Sequence, residues 1–356
     1  MKIYLSLLIS LIFLLNSCSV SSVKFSAIQP ADITIPDHIN KFMVFDRSAP
    51  SKGNQAENIL DGLLSGETIG LDSHGAEKCV LALEKSLNNS PRFLLIENNS
   101  TILKGTGTSE FPPPLKWKKI QKITKDYDVD ALIILETFDS SSSFIDLGLI
   151  TQRVKKNGKW VKIPKNKVAL DIEVQAGWRV YDILNQKIID EKRFIDRKKI
   201  ESVGNSFLSA KKKLPSLHSA VSDAAFFSGE QFYLRISPNY IIIDREYYKN
   251  LKGIKGFKIK DDKSNYFFTN ASKKVQLNDW EGATEIWKKY VNHENKHIAG
   301  RACYNMALAC EANGKILLAI DWIKKSINLN NKKAANYLLA LKKRKQEQKI
   351  LEQQLK

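Results

Sequence analysis

Cysteine is scarce. The 356 residues hold four, at positions 18, 79, 303 and 310, which excludes a disulfide framework as the source of stability. Cys303 and Cys310 stand seven positions apart on one predicted helix, about 10.5 Å along its axis and beyond disulfide reach, so they read as small buried apolar residues. Cys79 lies in an apolar helical segment. Histidine is rare as well, five in all, and His38, His74 and His218 stand in no metal-ligand spacing. Beyond residue 18 no apolar run approaches the length of a membrane-crossing helix, about 18 residues or more. Gly105-Thr106-Gly107 lacks a phosphate-binding lysine and a following helix start, so it reads as a turn. Serines 140 to 143 lack the elbow glycines of a hydrolase nucleophile and read as the end of a strand.

What is present begins with the lead segment. Lys2 precedes an apolar run from Ile3 to Leu15, and Leu15-Asn16-Ser17-Cys18 follows. A charged start, a short apolar core and small residues at the cut are the pattern of a secretory signal, and about 13 residues are too few to cross a bilayer. The tetrad resembles the lipobox of bacterial lipoproteins, in the looser form of the Bacteroidota. That resemblance implies cleavage before Cys18, acylation of Cys18 and stable anchoring by two or more acyl chains. Ser19 to Lys24 carry no acidic run of the kind that resembles a surface-export signal in that phylum, which implies the periplasmic face of the outer membrane. Residues 1–17 are thus expected to be the signal, and 18–40 a lipidated N-terminus and tether.

The formal net charge is +18. Residues 264–356 hold 17 Lys and Arg against 8 Asp and Glu, so the basic excess is concentrated towards the C-terminus. Such a field favours anionic partners, meaning lipid phosphates or the acidic face of a protein. An exported chain does not meet nucleic acid. The dominance of Lys with abundant Asn and Ile also matches an AT-rich genome.

From 41 to 263 strand and helix signals alternate. Lys41 to Asp46 is an apolar run stopped by polar residues and Pro50, a first strand. Ala76, Val80, Leu81, Leu83 and Leu87 recur at helical spacing, and Phe93 to Ile96 read as a second strand. The loop from Gly105 to Pro114 contains three consecutive prolines and excludes regular structure. Trp117, Ile120, Ile123 and Tyr127 mark an amphipathic helix, and Ala131 to Leu135 a buried strand. Phe144 to Val154 and Val168 to Tyr181 read as long strands, the second turning at Asp182 to Lys187 into a hairpin partner, Ile188 to Ile195. A helix from Ser216 to Ile236 ends at Ser237-Pro238, and Tyr240 to Arg245 returns as a strand of the same sandwich.

The order resembles the periplasmic α/β domains of envelope accessory proteins, the family of the TolB N-terminal domain, CsgG and LpoB. The resemblance rests on the opening strand Phe42 to Asp46, the helix into Phe93 to Glu97, the segment Asp128 to Ile134, and Val180-Tyr181-Asp182 before its turn. It implies a fold and a role in envelope assembly or maintenance through protein contacts, without naming an activity.

From 264 to 356 the chain is helical and repetitive. Trp280 to Trp287 aligns with Ile316 to Ile323 at an offset of 36 residues, which resembles the tetratricopeptide repeat period. In that register Ala271 and Ala307 hold the small position of each first helix, and Trp287 and Ile323 the large position of each second. A final helix from Lys332 is expected to bury Ala335, Leu338, Leu339 and Leu341 and then turn polar as a cap. The expected fold class is therefore an α/β (α+β) sandwich followed by an all-α tetratricopeptide-like domain. Lipobox, α/β domain and the helix Arg301 to Ala309 together resemble a family of Bacteroidota lipoproteins known as a domain of unknown function.

One catalytic string stands out. His293-Glu294-Asn295-Lys296-His297 matches His-Glu-x-x-His, in which His293 and His297 would bind zinc and Glu294 would act as base, provided the string is helical. The repeat register puts it in an inter-repeat loop instead. The expected function is a non-enzymatic adaptor with no cofactor. It would be lipid-anchored at Cys18 and would bind a protein partner in the cell envelope through the first helices of its repeats, with Arg301, Tyr304, Asn305 and Tyr337 as exposed candidates. Two alternatives are a zinc hydrolase on the 293–297 string and a CsgG-like secretion-channel component, whose membrane hairpin would involve Phe144 to Val154 and a partner strand near Trp160.

Overall fold

The computed structural model describes residues 19–50, 70–97, 103–254 and 263–356. The lead segment and Cys18 lie outside the described residues. A sheet-rich N-terminal region is followed by an all-helical C-terminal region. The described residues divide into two compact units, one within 31–239 with 354–356 and one within 19–30 with 240–353.

The first unit is built on a five-stranded sheet. Its strands are β2 (Lys41–Asp46), β3 (Leu94–Leu95), β4 (Ala131–Lys156), β5 (Lys159–Asp182) and β6 (Lys187–Gly204), in the order β3-β2-β4-β5-β6. β2 lies parallel to β3 and β4, while β4, β5 and β6 are antiparallel. Alternation along the strands explains the layers. Phe42, Val44, Ile133, Leu135, Ile172, Val174 and Trp178 meet helices α1 (Leu71–Leu87) and α4 (Leu217–Ile236), whereas Met43, Phe45, Leu132, Ile134 and Tyr181 meet α2 (Trp117–Thr124). Both faces are covered, so the central strands read as unbroken apolar runs. Trp178 stacks on Phe232 with ring centroids 4.8 Å apart, and both are fully buried. Burial of each such side chain contributes about 1.5–3 kcal/mol. On α4, a Cβ at Gly229 would lie 2.1 Å from the Cys79 carbonyl oxygen, so glycine there permits the close approach of α1 and α4.

Several expectations shift. The inward face of α1 is Leu71, Ala76, Cys79, Ala82, Leu83 and Leu87, and Leu81 points outward at 45% exposure. β4 is one strand of 26 residues with irregularities at Leu135/Thr137 and Asp146/Leu149 rather than two segments, and Ser140 to Ser143 pair with Asp171 to Val174 in its middle. β6 pairs with β5 only from Asn166 to Asp182. Leu149–Lys156 and Lys159–Lys165 therefore form a two-stranded ribbon, closed by Asn157 and Gly158 at φ 50° and 79°. Asp130 accepts the backbone N–H of Asn40 (2.8 Å) and Lys41 (2.9 Å), which fixes the start of β2. A short helix α3 (Phe207–Lys211) follows β6.

In the second unit, β1 (Val20–Gln29) pairs with β7 (Asn239–Tyr248) in a two-stranded sheet. This corrects two expectations, that 18–40 is tether throughout and that the strand at 240–245 joins the α/β sheet. The cause is apolar. Tyr247 and Tyr248 are buried with Phe268, Tyr304 and Tyr337 in the helical core, while Val20, Val23 and Phe25 pack against it. Five helices complete the unit, α5 (Ser264–Gln276), α6 (Trp280–Lys288), α7 (Lys296–Ala312), α8 (Ile316–Asn328) and α9 (Ala334–Gln354). Ala271, Ala307, Ala283, Ala319, Trp287 and Ile323, the positions matched by the 36-residue offset, are all fully buried. Asn278 (φ 59°) and Gly314 (φ 73°), also 36 apart, end α5 and α7 in the left-handed conformation. The stripe of α9 is Ala334, Tyr337 and Leu341, with Leu338 partly buried, whereas Ala335 is exposed and Leu339 is 66% exposed. Tyr337 sets this register because its hydroxyl has a buried acceptor in Glu311.

Candidate functional site

The four residues expected to face a partner are committed to the chain itself. Asn305 is fully buried, and its amide reads the backbone of Tyr248 as a neighbouring strand would. Its Oδ1 accepts from Tyr248 N–H at 2.9 Å, and its Nδ2 donates to Tyr248 C=O at 2.8 Å. Arg301 donates to the carbonyls of Asn250 (3.0 Å) and Lys252 (2.9 Å), with its guanidinium over the Tyr248 ring. Tyr304 is buried between Tyr248 and Tyr337, with ring centroids at 5.3 and 5.1 Å. Tyr337 donates to Glu311 at 2.6 Å, and Arg245 of β7 grips the same carboxylate through two bonds of 3.0 and 2.9 Å. Burial, with the Glu311 charge beside it, pushes the Tyr337 phenol well above its usual range. On α5, Asn265 accepts from Leu251 N–H and Ser272 bonds Tyr247. The segment 245–252 thus lies along the first helix of each pair. The expected exposure of Tyr304, Asn305 and Tyr337 is corrected, because an extended piece of the same chain holds that face. A lone Asn inside the apolar run Ala302 to Ala309 was the signal for a backbone partner.

The His-Glu-x-x-His string does not form a zinc-binding face. Asn295 is the N-cap of α7, its side chain accepting from His297 N–H at 2.9 Å, so His293 and Glu294 precede the helix and only His297 is in it. His293 Nδ1 accepts from Asn295 N–H at 3.0 Å, and its ring stacks on Tyr290. Cys303 is buried, and desolvation pushes its thiol up from 9.0 to about 11. Among the described residues no three His, Cys, Asp or Glu side chains gather as a metal site. The structure does bring His74 and His218 together, ring centroids 4.7 Å apart, a juxtaposition that no spacing announces.

In the α/β unit a polar cluster surrounds Glu136, which is fully buried in β4. Arg47 donates to it at 2.8 Å and Tyr181 at 2.5 Å, with Arg179 at 3.6 Å. The two arginines also donate to the carbonyls of Pro113 (3.0 Å) and Pro112 (2.7 Å), which pins the irregular 105–114 loop on the sheet. Every member has an intramolecular partner, so the cluster fastens the loop.

Among the described residues a cleft of about 510 Å³ lies between α8 and α9, lined by Gly314, Lys315, Ile316, Leu317, Leu318, Lys345, Gln348, Lys349 and Glu352. Leu317 is 62% exposed and Leu318 47%. An apolar floor with three lysines at its rim suits an apolar segment carrying acidic neighbours.

The family model for the domain of unknown function DUF8603 matches residues 39–248, more than half of the chain, and the chain belongs to that family. A second domain of unknown function, DUF6340, matches residues 269–352. No curated protein matches. Solved structures that share some likeness include a neuraminyllactose-binding hemagglutinin homolog from Helicobacter pylori, at 10% identity and TM-score 0.23, covering 55% of this chain and 82% of that one. A PelC dodecamer from Paraburkholderia phytofirmans is similar at 8% identity and TM-score 0.19, covering 60% and 100%. Protein CT253 from Chlamydia trachomatis is similar at 10% identity and TM-score 0.19, covering 55% and 88%. No helix among the described residues is long and apolar enough to cross a membrane.

Proposed function

We propose that this chain is a lipid-anchored adaptor of the bacterial envelope, non-enzymatic, which binds a protein partner through a short tetratricopeptide-like helical module. The lead segment supports the anchor, with a charged start, a short apolar core and Cys18 as the acylated residue. The 36-residue recurrence of buried alanines and left-handed turns supports the repeat reading. The address that follows is the periplasmic face of the outer membrane.

The observation that carries the binding role is the α8–α9 cleft. The first-helix face is occupied by 245–252, so a partner would seat on Leu317 and Leu318 between Lys315, Lys345 and Lys349. The occupant this chemistry favours is an amphipathic helix with acidic flanks. To test it, tagged protein is captured from cells of its own host with and without Leu317→Glu and Leu318→Glu. Both positions are exposed, so the melting temperature should move by less than 2 °C, roughly the effect of a surface substitution. Loss of a specific co-purifying protein in the double variant supports the reading. Capture of the same protein by both forms contradicts it.

A further inference from the structure

The outer half of the β4–β5 hairpin is built unlike the rest of the sheet. Beyond Asn166 it has no third strand, and residues 150–165 form a ribbon outside all three hydrophobic clusters. From Leu147 to Lys167 there are seven cations, Arg153, Lys155, Lys156, Lys159, Lys162, Lys165 and Lys167, and the sequence has no acidic residue between Asp146 and Asp171. Register places like charges directly opposite each other, Arg153 against Lys162 and Lys156 against Lys159. Such pairs destabilise a ribbon, and among the described residues no carboxylate pairs with any of these four.

The two faces differ. One carries Ile150, Val154, Val161 and Ile163 with Gln152, bounded by Lys156 and Lys159 at the tip and Lys165 at the base. The other carries Arg153, Lys155 and Lys162 with Trp160 and Leu149, the last two 69% and 71% exposed. Aliphatic side chains framed by lysines, with an exposed tryptophan beside the turn, are the composition of a segment that lies in the headgroup region of a bilayer. The apolar positions span 150–154 and 161–163, short of the 9–11 residues of a strand that crosses lipid. Entering tip first would set both faces at the headgroups, so that the long cationic stems reach phosphates while the aliphatic positions and Trp160 meet acyl chains.

We propose that this ribbon is a docking element for an anionic lipid surface, with the phosphate headgroups neutralising the opposed cations and Trp160 anchoring at the interface. This goes beyond the adaptor reading and does not rest on acylation of Cys18.

The test uses the chain from Ser19 onward, which contains every described residue and cannot carry an acyl group at Cys18. It is sedimented with phosphatidylethanolamine vesicles holding about one-third phosphatidylglycerol, and with neutral phosphatidylcholine vesicles. Binding to the first and not the second is expected, with release as salt screens the charges. The triple reversal Arg153→Glu, Lys155→Glu and Lys162→Glu should weaken partition at least tenfold. The equal reversal Lys332→Glu, Lys342→Glu and Lys343→Glu, at exposed positions outside the ribbon and the cleft, should change it less than twofold. Trp160→Ala, which leaves the charge intact, should weaken it several-fold, and it keeps the proposal testable should the triple variant fail to fold. Equal losses in the two triple variants would mean bulk charge attraction and would overturn the proposal. So would retention of binding by the ribbon variants, or binding to a polynucleotide with none to vesicles.

Discussion

Each unit of this protein buries one glutamate among arginine and tyrosine, and the two clusters are wired differently. Glu136 has two arginines, Arg47 at 2.8 Å and Arg179 at 3.6 Å, besides the Tyr181 hydroxyl. Glu311 has one, Arg245, which grips it through both oxygens, besides the Tyr337 hydroxyl. The first cluster is redundant and pins a loop. The second depends on a single cation and pins β7 along the helices. In both, the buried charge is matched inside the fold, which is the condition for keeping it there. The polar residues that draw the eye in this sequence hold the chain to itself, and the binding surface we propose lies on plainer residues.

The contrast predicts unequal losses. Arg245→Ala strands Glu311 without a cation and should cost about 3–5 kcal/mol in urea unfolding, whereas Arg47→Ala leaves Arg179 beside Glu136 and should cost about 1–3 kcal/mol. Equal costs would break the distinction. Asn305→Ala removes both bonds to Tyr248, leaving a buried N–H and C=O unpaired, and should cost about 1–3 kcal/mol. Tyr337→Phe removes one hydroxyl and should cost about 1 kcal/mol. The smallest effect is on reactivity. Burial raises the Cys303 thiol to about 11, so the neutral form belongs to the fold. Its contribution is complete below pH 9 and fades as pH rises through about 11. Thiol labelling at pH 8 should therefore be slow at Cys303 in the native protein and fast in urea.

Much of the layout was legible. Period-3.6 runs place α1, α2, α4 and the five C-terminal helices, and Ala131 to Leu135 announces the central strand through its unbroken apolar character. Ala283, Ala319, Trp287 and Ile323, which the 36-residue offset marks as core positions, are all buried. What escaped was long-range pairing. β1 alternates small and polar residues that resemble a tether, and only its partner β7 makes it a strand. β7 is apolar enough to join either sheet, and its Tyr248 and Arg245 are claimed by residues 57 and 66 positions away, Asn305 and Glu311. The orientation of α9 escaped because Leu339 and Tyr337 are both plausible core residues by periodicity. The buried acceptor Glu311 decides between them, and nothing local reveals it.

On the reading we propose, a partner meets the α8–α9 cleft and not the first-helix face. A photo-reactive residue placed at Leu318 and, in a separate strain, at Arg301 tests this most directly in living cells. Arg301 is half-buried beside Tyr248 and lies on the occupied face. The account predicts a cross-link from position 318 to a second protein, and from 301 only to this chain. A cross-link to another protein from 301, with none from 318, would contradict it.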